Sequence, residues 1–472
     1  MKKGYATMKP ENTNATRVLA DFMADLSYDA IPEKARVSAR RCLLEILSGA
    51  VAGYPTDYLS NLDKEMSPPV KNEATVIGSE RSHTVEQAAF INASAAVIKE
   101  FIGGHRFSYS MPVIASLPTA LACAEYAGST GRELVTAIVA GAEAHARIGM
   151  ACLPMKMTFH PHGTVATMGA ACAAGKVAGF DREHMYSLFN VASVLPIFAH
   201  RRTTFEGGTV RNAYPGFSAR NGILAMKMVR AGFCGVEDGI ATCFAETVAE
   251  KEFHPEIMLD ELGVRYECSR NYYKLHSCDR HLHGSIELVD ELIKKHGADV
   301  INPDSIDHIE VYAYLRAARC NSKTPRNAIA SQWSIPHGIA AQIILGRSDA
   351  EAFSEEAVHN PAIQALAQRV DVTEDPAYTA MCPDKRPSRV VIILKDGRRF
   401  QADAPLPSAE FDSDEPDSVI EAKLKTKCRK LFVLGGMTEA LADRIIDVVD
   451  HVDDLPNISP LMSLLAAPYK TA

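Results

Sequence analysis

The stretch TFHPHGTVATMGAACAAGKVAGFD, residues 158–181, sets two histidines around a proline and then continues with very small side chains. Pro161 disfavours helical geometry at His160, and Thr164 is a favourable N-cap residue, so the sequence predicts a helix that begins directly after this loop. Small side chains let helix axes approach closely, which indicates a helix buried among other helices. The start of such a helix also offers free N–H groups to an anion.

Helical patterns continue on both sides of this stretch, with apolar residues at three- and four-residue spacing from about residue 14 to 265 and again near the C-terminal end. Between these regions, β-branched runs of alternating polarity predict strands, and Asp396-Gly397 predicts a hairpin. The sequence therefore predicts a mainly α fold, with a large all-helical domain (residues 1–265 together with 406–472) and an inserted smaller α+β lid domain (residues 266–405).

The composition is that of a globular protein: 47% of the 472 residues are hydrophobic, 23% are charged, and the formal net charge is −8. A net negative charge argues against nucleic acid and against an anionic membrane surface as partners. No apolar run is long enough to span a membrane, and the N-terminus has no apolar segment of a signal peptide. Eleven scattered cysteines without C-x-x-C spacing are typical of a reducing compartment, so we predict a cytoplasmic protein.

Four segments hold the side chains that could carry chemistry, and the histidine loop is the first of them. Residues 273–283 combine lysine, arginine and three histidines at a predicted domain junction, where ligand clefts are common. Residues 206–216 are glycine-rich but lack the Gly-Lys-Ser/Thr ending of a P-loop, so we reject nucleotide binding. Residues 99–112 lie between two helices. The candidate residues in these segments are His160, Lys274, His276, Arg280, His283, Arg211, Glu100, His105 and Arg106.

Together the four segments resemble the MmgE/PrpD family, which includes 2-methylcitrate dehydratase, cis-aconitate decarboxylase and iminodisuccinate epimerase. The resemblance covers almost the whole chain. It implies a helical domain with an inserted α+β lid, no organic cofactor, and a homodimer. The most specific matches are FHPHGTVATMGAACAAGKVAGFD and GGTVRNAYPGFSARNGILAMKMVRAGFCG, and YYKLHSCDRHLH and SQWSIPHGIAAQIILG match less strictly.

The resemblance also implies roles for individual residues. His160 matches the loop histidine of the family, Lys274 matches the lysine of the lid motif, and His283 matches a histidine at the end of that motif. Arg211 stands where many members have lysine. An arginine keeps the positive charge but cannot serve as an acid or a base, so we expect Arg211 to bind rather than to transfer protons.

The segment of residues 99–112 departs from the family pattern. Many members have an aspartate pair followed by a His-Pro, whereas this chain has Gly103-Gly104 and Met111-Pro112 at the equivalent places. Glu100 and His105 remain nearby and are expected to compensate. The departure predicts a substrate distinct from those of the best-known members.

The family reactions share one step, in which a proton is removed from or delivered to a carbon next to a carboxylate. The site must neutralise that carboxylate as charge develops. We therefore expect a cofactor-independent, metal-free lyase, a dehydratase or decarboxylase, that acts on a small di- or tricarboxylate. The catalytic candidates are His160, Lys274, His105 and His283, and the substrate-binding candidates are Arg211, Arg280, Thr164, Arg106, Glu100 and His276.

Three alternatives stay open at this stage. A racemase or epimerase would return the proton to the other face of a related polycarboxylate. A metal-dependent hydrolase would use the pairs His160-x-His162 and His281-x-His283, although their spacing fits no standard zinc motif. A non-catalytic carboxylate-binding protein would explain the lost aspartate pair and Met111.

Overall fold

The computed structural model describes residues 14–66, 68–70, 73–467 and 469. The N-terminal half is helical, as predicted. Its helices are α1 (Ala15–Asp25), α2 (Glu33–Gly53), α3 (Asp57–Glu65), α4 (Val85–Val97), α5 (Val113–Ala127), α6 (Gly131–Ala151), α7 (Val165–Val177), α8 (Arg182–Ala192), α9 (Arg202–Phe205), α10 (Tyr214–Arg230), α11 (Gly239–Thr247) and α12 (Pro255–Leu259). Two short antiparallel pairs accompany them, β1 (Ala74–Thr75) with β2 (Ser82–His83), and β3 (Gly104–His105) with β4 (Asn271–Tyr272).

The remainder of the chain combines helices with the largest sheet. Its helices are α13 (Arg280–His296), α14 (Leu315–Ala318), α15 (Ala328–Ser331), α16 (Ile335–Leu345), α17 (Glu355–Val358), α18 (Pro361–Ala367), α19 (Pro376–Ala380), α20 (Asp417–Leu434), α21 (Glu439–Asp450) and α22 (Ser459–Leu465). Its strands are β5 (Ile306–Ala313), β6 (Val370–Glu374), β7 (Ser388–Leu394) and β8 (Arg399–Ala404). The prediction of a mainly α fold is confirmed.

Local sequence signals explain where several helices begin. Thr130 and Glu133 form a capping box at the start of α6, and Asp181 accepts the N–H of His184 at the start of α8. Each cap satisfies backbone donors that would otherwise lack a partner in the first helical turn.

Helix α7, from the stretch that opened the sequence analysis, lies at the centre of the helical part. It packs against α5, α6, α8 and α10, and its residues from Val165 to Gly175 are buried. A Cβ atom on Gly169 would lie 2.8 Å from the carbonyl oxygen of Gly141 in α6. One on Gly222 in α10 would lie 2.6 Å from the backbone nitrogen of Ala171. The small residues are therefore required by the close approach of three helices.

The four-stranded sheet has the strand order β6-β5-β7-β8. Strand β5 is parallel to β6 and antiparallel to β7, which is in turn antiparallel to β8. The predicted hairpin at Asp396-Gly397 joins β7 to β8, and Gly397 adopts a φ of +87° there. Helix α13 packs against β7 and β8, and α16 packs against α13 and β6.

Buried apolar side chains form two large clusters. The first core takes its members from Ala15 to Tyr273 and then from Ala409 to Leu465, and the second core takes them from Cys278 to Leu394. The first core is therefore discontinuous in sequence, and the second is inserted into it. The domain boundaries at residues 265 and 406, and the movement of the inserted part as a lid, stay predictions.

Helix α20 returns the chain to the first core, where it packs against α2. Its Lys427 ammonium contacts the carboxylate of Glu45 and donates to the carbonyl oxygens of Phe101 and Lys274, each at 3.1 Å. One buried lysine thus connects four separate segments. Within the described residues, no helix combines the length and the apolar character that a membrane crossing requires.

Candidate active site

A cavity is lined by residues from the segments of both cores. It holds about 750 Å³ of space, counting open solvent at its mouth. Its wall is rich in arginine and histidine and has few carboxylates. The charged and imidazole side chains that line it are Arg201, Arg211, Arg280, Arg316, Arg319, Arg386, His160, His162, His281, Glu100 and Asp279. The other lining side chains are Tyr109, Ser110, Met111, Met157, Pro161, Thr204, Phe205, Tyr272 and Trp333.

The histidine loop forms one wall of the cavity. His160 precedes a short 3₁₀ turn, Pro161–Gly163, and its Nδ1 accepts the backbone N–H of His162 at 3.2 Å. This bond places the proton of neutral His160 on Nε2. The rings of His160 and His162 meet edge to face with centroids 4.5 Å apart. The loop therefore holds two imidazoles in contact at the cavity wall.

Burial keeps both imidazoles uncharged. Burial lowers the pKa of His160 well below 6.5, and the cations Arg211 and Arg201 lower it further. Burial, with His160 and Arg211 nearby, lowers the pKa of His162 in the same way. A bound anion would offset the field of these arginines and raise both pKa values. The two histidines are thus suited to exchange protons when an anionic ligand is present.

Thr164 precedes α7 as predicted, but its hydroxyl makes no N-cap hydrogen bond. It donates instead to the carbonyl oxygen of His160 at 3.3 Å. Thr164 is buried behind the loop and does not line the cavity. The position of Thr164 does not favour the expected binding of substrate. It favours a role in positioning His160.

Glu100 lies opposite the histidine loop and joins two of the predicted cations. Its carboxylate accepts the Lys274 ammonium at 2.7 Å and lies 2.8 Å from the Arg211 guanidinium. All three side chains are buried, and Glu100 has a φ of +51°, which is strained for a residue with a Cβ atom. Arg211 also stacks over Trp333, with 4.6 Å from its guanidinium carbon to the ring centroid. Lys274 sits behind Glu100 and does not line the cavity.

Arg280 is the first residue of α13, at the start of the segment that forms the second core, and it lines the cavity. Its guanidinium donates to the carbonyl oxygen of Ser408 at 2.6 Å and to the Glu410 carboxylate at 3.1 Å. It also donates to Nδ1 of His283 at 3.1 Å. His283 is fully buried behind Arg280, and burial, then His276, lowers the pKa of His283 well below 6.5. The expected direct catalytic role of His283 is therefore not favoured by its position.

Two predicted residues of the segment 99–112 turn away from the cavity. His105 lies between Ser108 and the carboxylate of Glu267, each at 3.1 Å, and burial lowers its pKa. Arg106 pairs with Glu410 at 3.1 Å and Asp412 at 2.6 Å. Neither side chain lines the cavity, so their positions favour structural roles over catalysis or substrate binding.

His276 also lies outside the cavity lining, where its ring contacts Ser348 and Glu287. Among the described residues, one group of three, His276, His283 and Glu287, brings possible metal-ligand atoms within 4.8 Å of one another. The Arg280 cation donates to His283 in this group, which opposes a second cation there. The pairs His160-x-His162 and His281-x-His283 do not form such a group, so the hydrolase alternative loses the ligand set that motivated it.

Two family models match this chain, the MmgE/PrpD N-terminal domain over residues 17–248 and the MmgE/PrpD C-terminal domain over residues 276–451. The chain belongs to the MmgE/PrpD family. The resemblance inferred from its motifs is thereby confirmed.

Full-length relatives of this MmgE/PrpD protein support an enzyme of the lyase type. One is the cis-aconitate decarboxylase-like protein oryM of Aspergillus oryzae, 22% identical over 492 residues that span 96% of this chain and 97% of the relative. Another is the cis-aconitate decarboxylase of Aspergillus terreus, 22% identical over 486 residues and 97% of each chain.

The two glycines that replace the aspartate pair of many MmgE/PrpD members have a physical reason in this structure. A Cβ atom on Gly103 would lie 2.3 Å from the carbonyl oxygen of Tyr272. One on Gly104 would lie 2.5 Å from the Tyr272 hydroxyl oxygen. Tyr272 lines the cavity, so its phenol takes the space beside these backbone atoms. Met111, at the position of the family histidine, lines the same cavity with a thioether.

Sequence reasoning missed most of the cations of this MmgE/PrpD site. Arg201, Arg316, Arg319 and Arg386 line the cavity, and none of them lies in the four segments. The one local signal is the spacing of Arg316 and Arg319, because residues three apart share a helix face. His281 and Asp279 also line the cavity, and the sequence of the second segment pointed to His281 only as a metal ligand. Burial alone would raise the pKa of Asp279, but the neighbouring His281 and Lys274 outweigh it and lower the value to about 2.

Replacement of Glu100 by glutamine should strongly destabilise the protein. The change leaves the Lys274 and Arg211 cations buried without their shared carboxylate, and such a loss costs about 3–5 kcal/mol of unfolding free energy. Urea unfolding monitored by circular dichroism measures it. The control is Glu310→Gln, whose carboxylate pairs with Arg399 near the surface and should cost less than about 1 kcal/mol. Equal losses in the two variants would contradict the prediction.

Proposed function

We propose that this MmgE/PrpD protein is a cofactor-independent lyase that transfers a proton at a carbon next to a carboxylate of a small di- or tricarboxylate. The observation that carries the proposal is the arrangement of His160, with Nε2 as its proton-carrying atom, in a cavity lined by six arginines and two carboxylates. Arginine binds carboxylates through two parallel hydrogen bonds, so the wall suits a substrate with several carboxylates. The relatives named as cis-aconitate decarboxylases support the same class.

The chemistry follows from the field inside the cavity. Binding of a polycarboxylate offsets the positive charges of Arg211 and Arg201 and raises the pKa of His160 into a useful range. In a decarboxylation, the carbon–carbon bond to the departing carboxylate breaks, carbon dioxide leaves, and the electron pair takes a proton from His160 Nε2. In a dehydration, a histidine takes the proton from the carbon, the carbon–oxygen bond breaks as the double bond forms, and the proton is returned to the departing hydroxyl, which leaves as water. Arg211 and Arg280 stabilise the charge that develops on the neighbouring carboxylate.

The second proton carrier in this proposal differs from the residues expected from sequence. His105 and His283 do not line the cavity, whereas His162 and His281 do. Burial lowers the pKa of His281 to about 3, despite the nearby Asp279, so this imidazole is also uncharged before ligand binding. His281 belongs to the segment that forms the second core, whereas His160 belongs to the first. Proton exchange at two faces of a carbon needs two proton carriers, so this placement favours an epimerase as the second candidate.

The test is proton NMR in deuterium oxide with the purified protein and a panel of 2-methylcitrate, cis-aconitate and iminodisuccinate. We expect deuterium to enter a carbon next to a carboxylate, at a rate that a chelator does not change. The product then identifies dehydration, decarboxylation or epimerisation. Measured binding of a panel member without exchange or product would instead establish a carboxylate-binding protein and refute the lyase.

We also propose a cytoplasmic homodimer that binds neither nucleic acid nor membrane. All eleven cysteines are free in the structure, which fits a reducing compartment. Eight exposed large apolar side chains occur between residues 194 and 264, where a partner subunit would cover them. They are Val194, Phe198, Phe205, Val210, Leu224, Phe233, Val236 and Val264. Light scattering should give twice the chain mass of 51.3 kDa, and a single-chain mass would refute the dimer.

A further inference from the structure

The arginines that line the cavity fall into two groups with different partners. Arg211 pairs with Glu100, and Arg280 pairs with Glu410. The other four have no carboxylate at ion-pair distance among the residues that the structure describes. They are Arg201, Arg316, Arg319 and Arg386. The protein hydrogen bonds of their guanidinium groups go to backbone carbonyls, from Arg201 to Phe159 at 3.4 Å and from Arg386 to Arg106 at 3.0 Å.

Three of these side chains, Arg316, Arg319 and Arg386, share one aromatic ring or one helical turn. The guanidinium carbon of Arg316 lies 4.2 Å from the ring centroid of Tyr109, and that of Arg386 lies 5.3 Å from it. Stacking on an aromatic face orients a guanidinium while leaving its N–H groups free for an anion. Arg316 lies in α14, and Arg319 directly follows the helix, so both leave the chain on the same side. Arg201 approaches from the first core.

Grouping these cations is unfavourable while the cavity is empty. Burial, with Arg316 nearby, lowers the pKa of Arg201 to about 10. Burial also lowers the pKa of Arg316, and Arg386 and Arg319 oppose its charge further. Arg386 is buried, and its Nε has no hydrogen-bond partner among the described residues, whereas Arg319 is exposed. A buried cation is normally paired, so this cluster favours a bound anion.

We propose that Arg316, Arg319 and Arg386, together with Arg201, form a second anion subsite, which binds an anionic group of the substrate other than the carboxylate beside the reacting carbon. This inference rests on the proposed function and deepens it. Arg211 and Arg280 are each already paired with a carboxylate, Glu100 and Glu410. The four arginines have only Asp279 as a further lining carboxylate. A substrate with three carboxylates therefore uses these arginines more fully than one with two.

The test compares citrate with glutarate, a probe with three carboxylates and a probe with two, by isothermal titration at low ionic strength. The variant is Arg316→Gln with Arg319→Gln. We expect the dissociation constant of citrate to rise at least ~10-fold, because two charge-assisted hydrogen-bonding groups are lost. The dissociation constant of glutarate should change less than about threefold. The control is Arg398→Gln with Arg399→Gln, which removes the same charge from the exposed strand β8 and should leave both constants unchanged.

Unliganded stability gives an independent measurement. The melting temperature of the Arg316 and Arg319 double variant should not fall below that of the parent protein, because the substitution removes repulsion between like charges. The exposed Arg319→Gln alone should already weaken citrate binding, which keeps the test valid if the double variant folds poorly. A double variant that binds citrate like the parent would overturn the subsite, as would a parent protein that binds no citrate.

The outcomes separate this inference from the proposed function. Loss of citrate binding in the double variant, with no proton exchange by the parent protein on any polycarboxylate, would uphold the subsite and refute the lyase. Proton exchange by the parent protein, with citrate binding equal in parent and double variant, would uphold the lyase and overturn the subsite.

Discussion

Replacing His160 by glutamine should lower the turnover rate at least ~100-fold, the contribution of a general acid or base in a well-positioned site. Glutamine keeps a polar group of similar size but has no group that exchanges a proton near neutral pH. The cations that bind the substrate stay in place, so the Michaelis constant should change by only a few-fold. The measurement is the initial rate of product formation by NMR on whichever panel member turns over.

The matched control for His160 is His359→Gln, which changes the same residue type at an exposed position just after α17. Its rate should equal that of the parent protein. A second comparison is His162→Gln, whose ring contacts that of His160. Near-full activity of His160→Gln would refute the assignment of His160 as the proton carrier. A larger loss in His162→Gln than in His160→Gln would transfer that role to His162.

Acidification should destabilise the protein steeply, by about 5 kcal/mol of unfolding free energy per pH unit near pH 5.5. Burial is the largest cause that lowers the pKa of five histidines, to about 3 or well below 6.5. They are His145, His160, His162, His281 and His283. In the unfolded chain these imidazoles regain a pKa near 6.5 and bind protons below it. The unfolded state therefore binds more protons than the folded state, and stability falls as the pH falls.

The carboxyl of Glu143 works in the opposite direction, as do those of Glu45 and Glu125, whose pKa burial also raises. Burial is the largest cause that raises the pKa of Glu143, to about 7, so its folded form binds a proton over a range in which the unfolded form is ionised. It offsets about one of the five histidines and leaves about four protons, each worth roughly 1.4 kcal/mol per pH unit at full uptake.

Urea unfolding between pH 7.5 and 5.5 measures the proton uptake directly. The variant His281→Gln should reduce it by about one proton, because one buried imidazole is removed. The exposed His451→Gln should not reduce it, because the pKa of folded His451 is raised rather than lowered, chiefly by a hydrogen bond to the Asp447 carbonyl. An uptake of fewer than two protons in the parent protein would contradict the prediction.

The helices of this protein follow from short-range signals, and those signals were visible in the sequence. The capping box of Thr130 and Glu133, the cap at Asp181 and the hairpin at Asp396-Gly397 each depend on neighbours within a few residues. The small residues of α7 indicated its burial for the same reason, since helix packing distance is set by the side chains of the helix itself.

The site was less accessible to sequence reasoning because its residues converge from distant segments. Arg201 and Arg386 line the same cavity only once the second core has packed against the first. The orientation of His105 and Arg106 depends on their contacts with Glu267 and Glu410, which are far from them in the chain. Glu100 was selected as a nearby acid, but its bridge between Lys274 and Arg211 requires a backbone with positive φ that no local pattern predicts.

The insertion of the second core into the first also sets an order of events during synthesis. Residues 278–394 are contiguous, so the second core can collapse as soon as it leaves the ribosome. The first core cannot close until α20 emerges and covers α2, and this long-range contact makes its folding slow. Lys427 of α20 then fixes the carbonyl groups of Phe101 and Lys274, two residues that neighbour Glu100 of the cavity wall. The binding site can therefore be completed only after α20 has left the ribosome.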